Sequence, residues 1–176
     1  MDELERLRLD YDQAGQLLRG LNETRFKLLA LVPTLAGAVV AFVSPHSAAA
    51  ELMAIGLLGA AATLGILVYE LRNGEIAAEV SVRLRSLEQR LLLEGPLVGP
   101  SRRRLFGAVP LSHGLGVALV YGAAFAGWAY LVGWGGLRLL DYGHARGGGL
   151  AIGAAVGLAI VHQVLRVLRG LDRPTG

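Results

Sequence analysis

Four histidines, His46, His113, His144 and His162, are the side chains best suited to metal binding or proton transfer in this 176-residue chain. Their spacing argues against both. The nearest two, His144 and His162, are 18 residues apart, far from the short intervals that place two ligands on one helix face. Cysteine is absent, which removes thiolate metal sites, iron–sulfur clusters, disulfides and thiol nucleophiles together. No nucleophile elbow, phosphate loop or paired-carboxylate motif occurs, and Gly147 to Gly149 read as a flexible entry to a helix. The expectation is a protein with no catalytic residue, no metal and no cofactor, and not an enzyme.

The charged residues say more. Arg25 and Lys27 precede one apolar segment; Glu70, Arg72 and Asn73 follow the next. If those segments form a hairpin, the two sets meet at one membrane surface. One reading is an interfacial anchor in which Arg25 or Arg72 pairs with Glu70. The other is a charged ring at the mouth of a pore, with three cations against one carboxylate tilting it toward anions. Pro33, near the inner end of the first segment, removes a backbone donor and is either a gate hinge or a static bend. Arg102, Arg103 and Arg104 form a basic cluster, read as a topogenic signal or as a contact for anionic lipid. Nucleic-acid binding fits poorly, because the pI of 9.7 rests on a net charge of only +3 and the arginines flank apolar segments.

The elements that must position these groups are membrane helices. The chain is 53% hydrophobic and 18% charged with mean hydropathy +0.50, and glycine, at 25 residues, is about twice its usual ~7%. Four segments approach the roughly 20 apolar residues of a span: 28–43, 52–69, 115–137 and 149–165. Of the 17 Lys and Arg residues, all but Arg138 and Arg146 fall on one side of these spans. The positive-inside rule then places both termini in the cytoplasm. Trp128, Tyr130, Trp134 and Tyr142 fall toward the outer interface, which suits amphipathic aromatics. The first 25 residues lack an apolar signal-peptide core, and neither cysteine nor a glycine at position 2 offers a lipidation site. One lysine against 16 arginines suggests a GC-rich bacterial genome.

Two polar segments carry helical apolar seams. Leu4, Leu7, Tyr11, Ala14, Leu18 and Leu21 form the first; Ala77, Val80, Leu84, Leu87 and Leu91 form the second, with Gly95-Pro96 as its stop. The seams pack on each other within a subunit, between subunits, or on a partner protein. Gly153 with Gly157, Gly56 with Ala60, Ala61 with Gly65 and Ala123 with Gly127 are small-residue pairs that allow close helix approach in lipid. The expected fold is therefore all-α: an integral membrane protein with four transmembrane helices and cytoplasmic N-terminal and central helices. Its parts are a heptad helix over 1–27, a first hairpin over 28–70, a cytoplasmic helix and basic linker over 71–112, and a second hairpin with tail over 113–176.

The layout of a heptad helix, a two-span hairpin ending at YELRN (69–73) and a further cytoplasmic helix resembles the SLATT domains, over about residues 4–93. The stretch LNETRFKLLALVPTLAGAVVAFVS (21–44) carries the resemblance. It is also similar in layout to transmembrane effectors of cyclic-pyrimidine defence systems. The resemblance implies a bacterial membrane effector associated with nucleotide-signalling defence, and carries no functional residues with it. The leading expectation is a homo-oligomeric channel or pore in the bacterial inner membrane, in contact with membrane lipids. The alternative is a non-conducting scaffold or sensor acting on a protein partner through its cytoplasmic helices.

Overall fold

The computed structural model describes residues 2–44, 46–93, 104–105, 109–110 and 113–171. It contains four long α-helices: α1 (Glu3–Phe42), α2 (Ala49–Arg90), α3 (His113–Leu139) and α4 (Ala145–Leu171). The one extended pairing among the described residues is antiparallel, between β1 (Arg104–Leu105) and β2 (Val109–Pro110). The linker 95–101, with Arg102 and Arg103, lies outside the described residues; of Arg104 only the backbone is described.

Both seams continue without a break into the apolar segments, so the boundaries expected at 27/28 and 70/71 fall inside single helices. The 40 residues of α1 span about 60 Å at 1.5 Å per residue. α1 and α2 form an antiparallel hairpin whose rungs join Glu3 with Arg90, Asp10 with Arg83 and Arg25 with Glu70. Ala14, Ala77, Leu84 and Leu87 are buried along this stalk. The two seams therefore face each other within one chain.

The 27-residue helices α3 and α4 are shorter by about 20 Å. α3 packs on the loop-end half of the α1–α2 hairpin, α4 packs on α3, and the stalk is left projecting. At the loop end, Arg138 Nη1 donates to the Ser47 carbonyl at 2.7 Å, and Gly135 lies against the start of α2. Small residues set the approach of the helices. A Cβ at Gly153 would stand 2.6 Å from the Ala126 carbonyl oxygen, and one at Gly56 2.7 Å from Val132 and 2.8 Å from the Trp128 carbonyl. The core has two parts. Val32, Leu67, Val117, Tyr121 and Val164 cluster near the stalk, and Leu52, Trp128, Leu131 and Trp134 cluster near the loops.

Three helices are long and apolar enough to cross a membrane: α2, α3 and α4. α1 falls short of that measure, although four spans are expected from the sequence. Its uncharged stretch is short, and Pro33, Thr34 and Gly37 dilute it. α2 also ends earlier than its Gly95-Pro96 stop suggests. Leu92 turns left-handed at φ 53°, its amide donates to the Gln89 carbonyl, and Leu93 donates to that of Glu88. This is the closed helix end usually built on glycine. Asp141, at φ 52°, does the same after α3, with Tyr142 donating to the Leu137 carbonyl.

Candidate functional site

The five polar residues expected to gather at one membrane surface lie at one level of the hairpin, where the stalk meets α3 and α4, but they split into two sets. Glu70, on α2, is buried, with 2% of its side chain exposed; Arg25, on α1, is 13% exposed. Arg25 Nε donates to Glu70 Oε1 at 2.8 Å. Asn73, one turn beyond Glu70, is buried, and its Nδ2 has no hydrogen-bond partner. Tyr121 of α3 is fully buried in the neighbouring apolar cluster, and its hydroxyl has no hydrogen-bond partner. A buried ion pair has to repay the desolvation of both charges. Low dielectric strengthens their attraction, and the 2.8 Å contact realises it.

The remaining two residues point away. Lys27 Nζ contacts Glu23 Oε1 at 2.7 Å, and Arg72 Nη1 contacts Glu75 Oε2 at 2.8 Å, both exposed. The hydrogen bond from Lys27, and then its charge, holds the Glu23 carboxyl below its usual range. Glu75 acts on Arg72 in the same order and raises the guanidinium pKa. All four charges are thus paired within the subunit. Of the two sequence readings, the anchor between Arg25 and Glu70 is the pairing present. Pro33 sits on the outer face of α1 with the helix continuous through it.

Further up the stalk, Arg83 Nη2 meets Asp10 Oδ1 at 2.6 Å, and the Tyr11 hydroxyl points at Glu88 Oε1 at 3.4 Å. Burial first, and then the Glu88 charge, raises the Tyr11 pKa.

The small-residue positions also divide. Gly56, Gly153 and Gly157 pack against α3 inside the subunit, whereas Gly65 and Gly127 are exposed with open space where a Cβ would stand. Gly147 to Gly149, expected as a flexible entry, lie inside α4, where Gly149 packs on Trp134. Gly59 and Gly122 are also packing positions, and the spacings of Gly56 to Gly59 and of Gly149 to Gly153 mark two of the three as one-turn neighbours of small residues already paired. The sequence also places Trp128 at the outer interface. Trp128 is 3% exposed in the core and donates through Nε1 to Thr63 Oγ1 at 2.8 Å.

His46, His144 and His162 are exposed, and the described residues contain no group of three side chains able to hold a metal. At the loop end, the guanidinium groups of Arg146 and Arg138 lie 5.2 Å and 5.9 Å from the Trp134 ring centroid.

One further face stands out. On α1, Ala30, Thr34, Gly37 and Ala41 recur at intervals of four and three, and all are exposed, opposite the side packed on α2 and α3. Leu31 is the one bulky apolar residue exposed among the described side chains of 28–43. The outer surfaces of α2 and α4, by contrast, carry Leu57, Leu58, Leu64 and Val68, and Leu150, Ile152 and Leu158. In comparisons with known proteins, no family model matches this chain, and no curated protein and no solved structure matches it.

Proposed function

We propose that the chain is a four-span membrane protein that assembles with copies of itself into an ion-conducting channel lined by α1. The observation that carries this reading is the outward face of α1. Ala30, Thr34, Gly37 and Ala41 are small, with one hydroxyl among them, and Leu31 is the one bulky apolar side chain exposed beside them among those described, whereas α2 and α4 set several leucines among their exposed alanines. Small faces on membrane helices suit contact with protein, and a threonine among them suits a wetted path. The hairpin rungs support a fourth span. α1 runs antiparallel to α2, so its uncharged half lies at the depth of the apolar half of α2. α1 ends at Phe42 and α2 begins at Ala49, a short connection for two helices paired along their length.

In this reading both termini and the stalk are cytoplasmic, with Arg138 and Arg146 outside, as the distribution of Lys and Arg favours. The Arg25–Glu70 pair then sits at the inner membrane face as a fixed, neutralised anchor. Lys27 and Arg72 are exposed at the same level, each paired with a carboxylate of its own helix, so a mouth there carries little net charge. The continuous α1–α2 hairpin is the feature behind the SLATT-like layout, and a bacterial defence effector of the inner membrane is the role we assign with it.

The test is electrical. Purified protein in planar bilayers is expected to pass current. The native chain has no cysteine, so Gly37→Cys is a clean probe, and a water-soluble charged thiol reagent is expected to reduce its current. Leu158→Cys, on the lipid side, is expected to be unaffected. Protein that inserts, oligomerises and passes no current would replace this reading with the second one. That reading is a non-conducting scaffold that binds a protein partner through the stalk, where Leu4, Leu9, Leu17 and Val82 are exposed.

A further inference from the structure

The loop-end half of the bundle holds a depression shaped like an amphiphile, which conduction along α1 does not use. Its apolar part is a groove of about 370 Å³ between α1 and the start of α4, with α3 as its floor. Ala36 and Val43 form one wall and Gly127, Trp128 and Leu131 the base. It follows α3 from Ala123 to Trp134, about 16 Å at 1.5 Å per residue. That is about the depth of one leaflet of a ~30 Å hydrocarbon core.

At its outer end the groove meets a second, more polar depression that contains Arg138, and Trp134 and Arg146 line both. The two guanidinium groups are held over the Trp134 ring, and Arg138 also donates to the Ser47 carbonyl. Neither arginine meets a carboxylate among the described residues. Of the acidic side chains at this end, Glu51 accepts from the Ala48 amide at 3.0 Å, and Asp141 is exposed beyond the end of α3. Neither guanidinium is therefore held by a carboxylate.

We propose that this depression binds an anionic phospholipid, with one acyl chain along Gly127 and Leu131 and the phosphate at Arg146 and Arg138. The occupant follows from the chemistry. An apolar trough one leaflet long ends in two arginines at headgroup height, fixed by an aromatic face. The proposal rests on the membrane-spanning reading, and is independent of conduction and of assembly.

Trp128 and Trp134 are the two tryptophans of the chain. Both line the groove, and burial to 3% and 6% exposure shields them from bulk lipid. Their fluorescence thus reports what occupies the groove. The full chain is reconstituted in phosphatidylcholine vesicles containing brominated phosphatidylglycerol or, in parallel, brominated phosphatidylcholine at the same mole fraction. Quenching is expected to show a preference of about fivefold for phosphatidylglycerol, the factor one arginine contributes at an anionic lipid surface.

Arg146→Gln, an exposed change, is expected to lower that preference several-fold. Gly127→Leu has open space for its side chain and is expected to reduce quenching by both lipids. Equal quenching by the two lipids in the native chain, or a preference unchanged in Arg146→Gln, would overturn the proposal. So would absence of quenching in helical protein that co-floats with the vesicles. Protein that fails to co-float would overturn the membrane-spanning reading itself, and the lipid site with it.

Discussion

The two ends of the membrane bundle handle arginine in opposite ways. At the stalk base, Arg25 is drawn among the helices and neutralised by Glu70 at 2.8 Å. At the loop end, Arg138 and Arg146 stay near the surface, held by the Trp134 ring and by a backbone carbonyl rather than by a carboxylate. A carboxylate contact fixes position and cancels charge together. An aromatic face fixes position and leaves the charge available. The stalk base holds its arginine fixed and neutralised, and the loop end holds its arginines in place without a carboxylate.

The sharpest way to break this contrast is to remove one partner at the inner end. Glu70→Ala leaves Arg25 in a largely buried site without its carboxylate, and is expected to cost about 3–5 kcal/mol, read as a fall in the detergent or thermal unfolding midpoint. The double replacement Arg25→Met with Glu70→Leu is expected to recover most of that loss, since an apolar pair of similar volume avoids the desolvation. At the outer end, Arg146→Gln is expected to leave the midpoint nearly unchanged. Equal losses at both ends would erase the distinction.

Next in size are the helix contacts. Gly153→Leu drives a side chain into the Ala126 carbonyl and is expected to cost about 1–3 kcal/mol as overpacking. Gly65→Leu enters open space and is expected to leave unfolding unchanged in the isolated subunit. Trp128→Phe removes the donor to Thr63, a loss of about 1 kcal/mol for a hydrogen bond between membrane helices, measured in the same unfolding assay.

The smallest effect belongs to the exposed pair at the stalk base. Lys27 holds the Glu23 carboxyl below its usual value of 4.5. The stability this pair lends is therefore full above that pH and is lost as pH falls through the lowered pKa. Lys27→Gln is expected to return the Glu23 titration, followed by NMR, to the ordinary carboxylate range with little change in unfolding.

Much of this architecture is legible in the sequence because it rests on periodicity and charge. The spacing of Leu4 through Leu21 and of Ala77 through Leu91 marks the two halves of the stalk, and the polar sets at 25–27 and 70–73 mark where it meets the bundle. What is not legible depends on which way a helix turns. Arg25, Glu70 and Asn73 point inward while Lys27 and Arg72 point outward, and pattern alone does not separate them. Gly153 and Gly157 serve contacts within the subunit, and Gly65 and Gly127 do not, although all four belong to similar small-residue pairs. The groove arises where α1 and α4 stand apart across α3, a gap between distant segments that leaves no local signal. The helix ends at Leu92 and Asp141 adopt left-handed turns without glycine, so the usual stop signal is missing there.

In the proposed channel, the small face of α1 meets other copies of the chain around a shared path. Disulfide crosslinking of single cysteines in membranes tests it most directly, because the native chain contributes no thiol. Gly37→Cys, on that face and without a neighbour within 4 Å of its Cβ position, is expected to form linked dimers under mild oxidation. Leu158→Cys, on the outer surface of α4, is expected to remain monomeric. Dimers through Leu158→Cys with none through Gly37→Cys would put the contact between copies on α4 and rule out a path lined by α1.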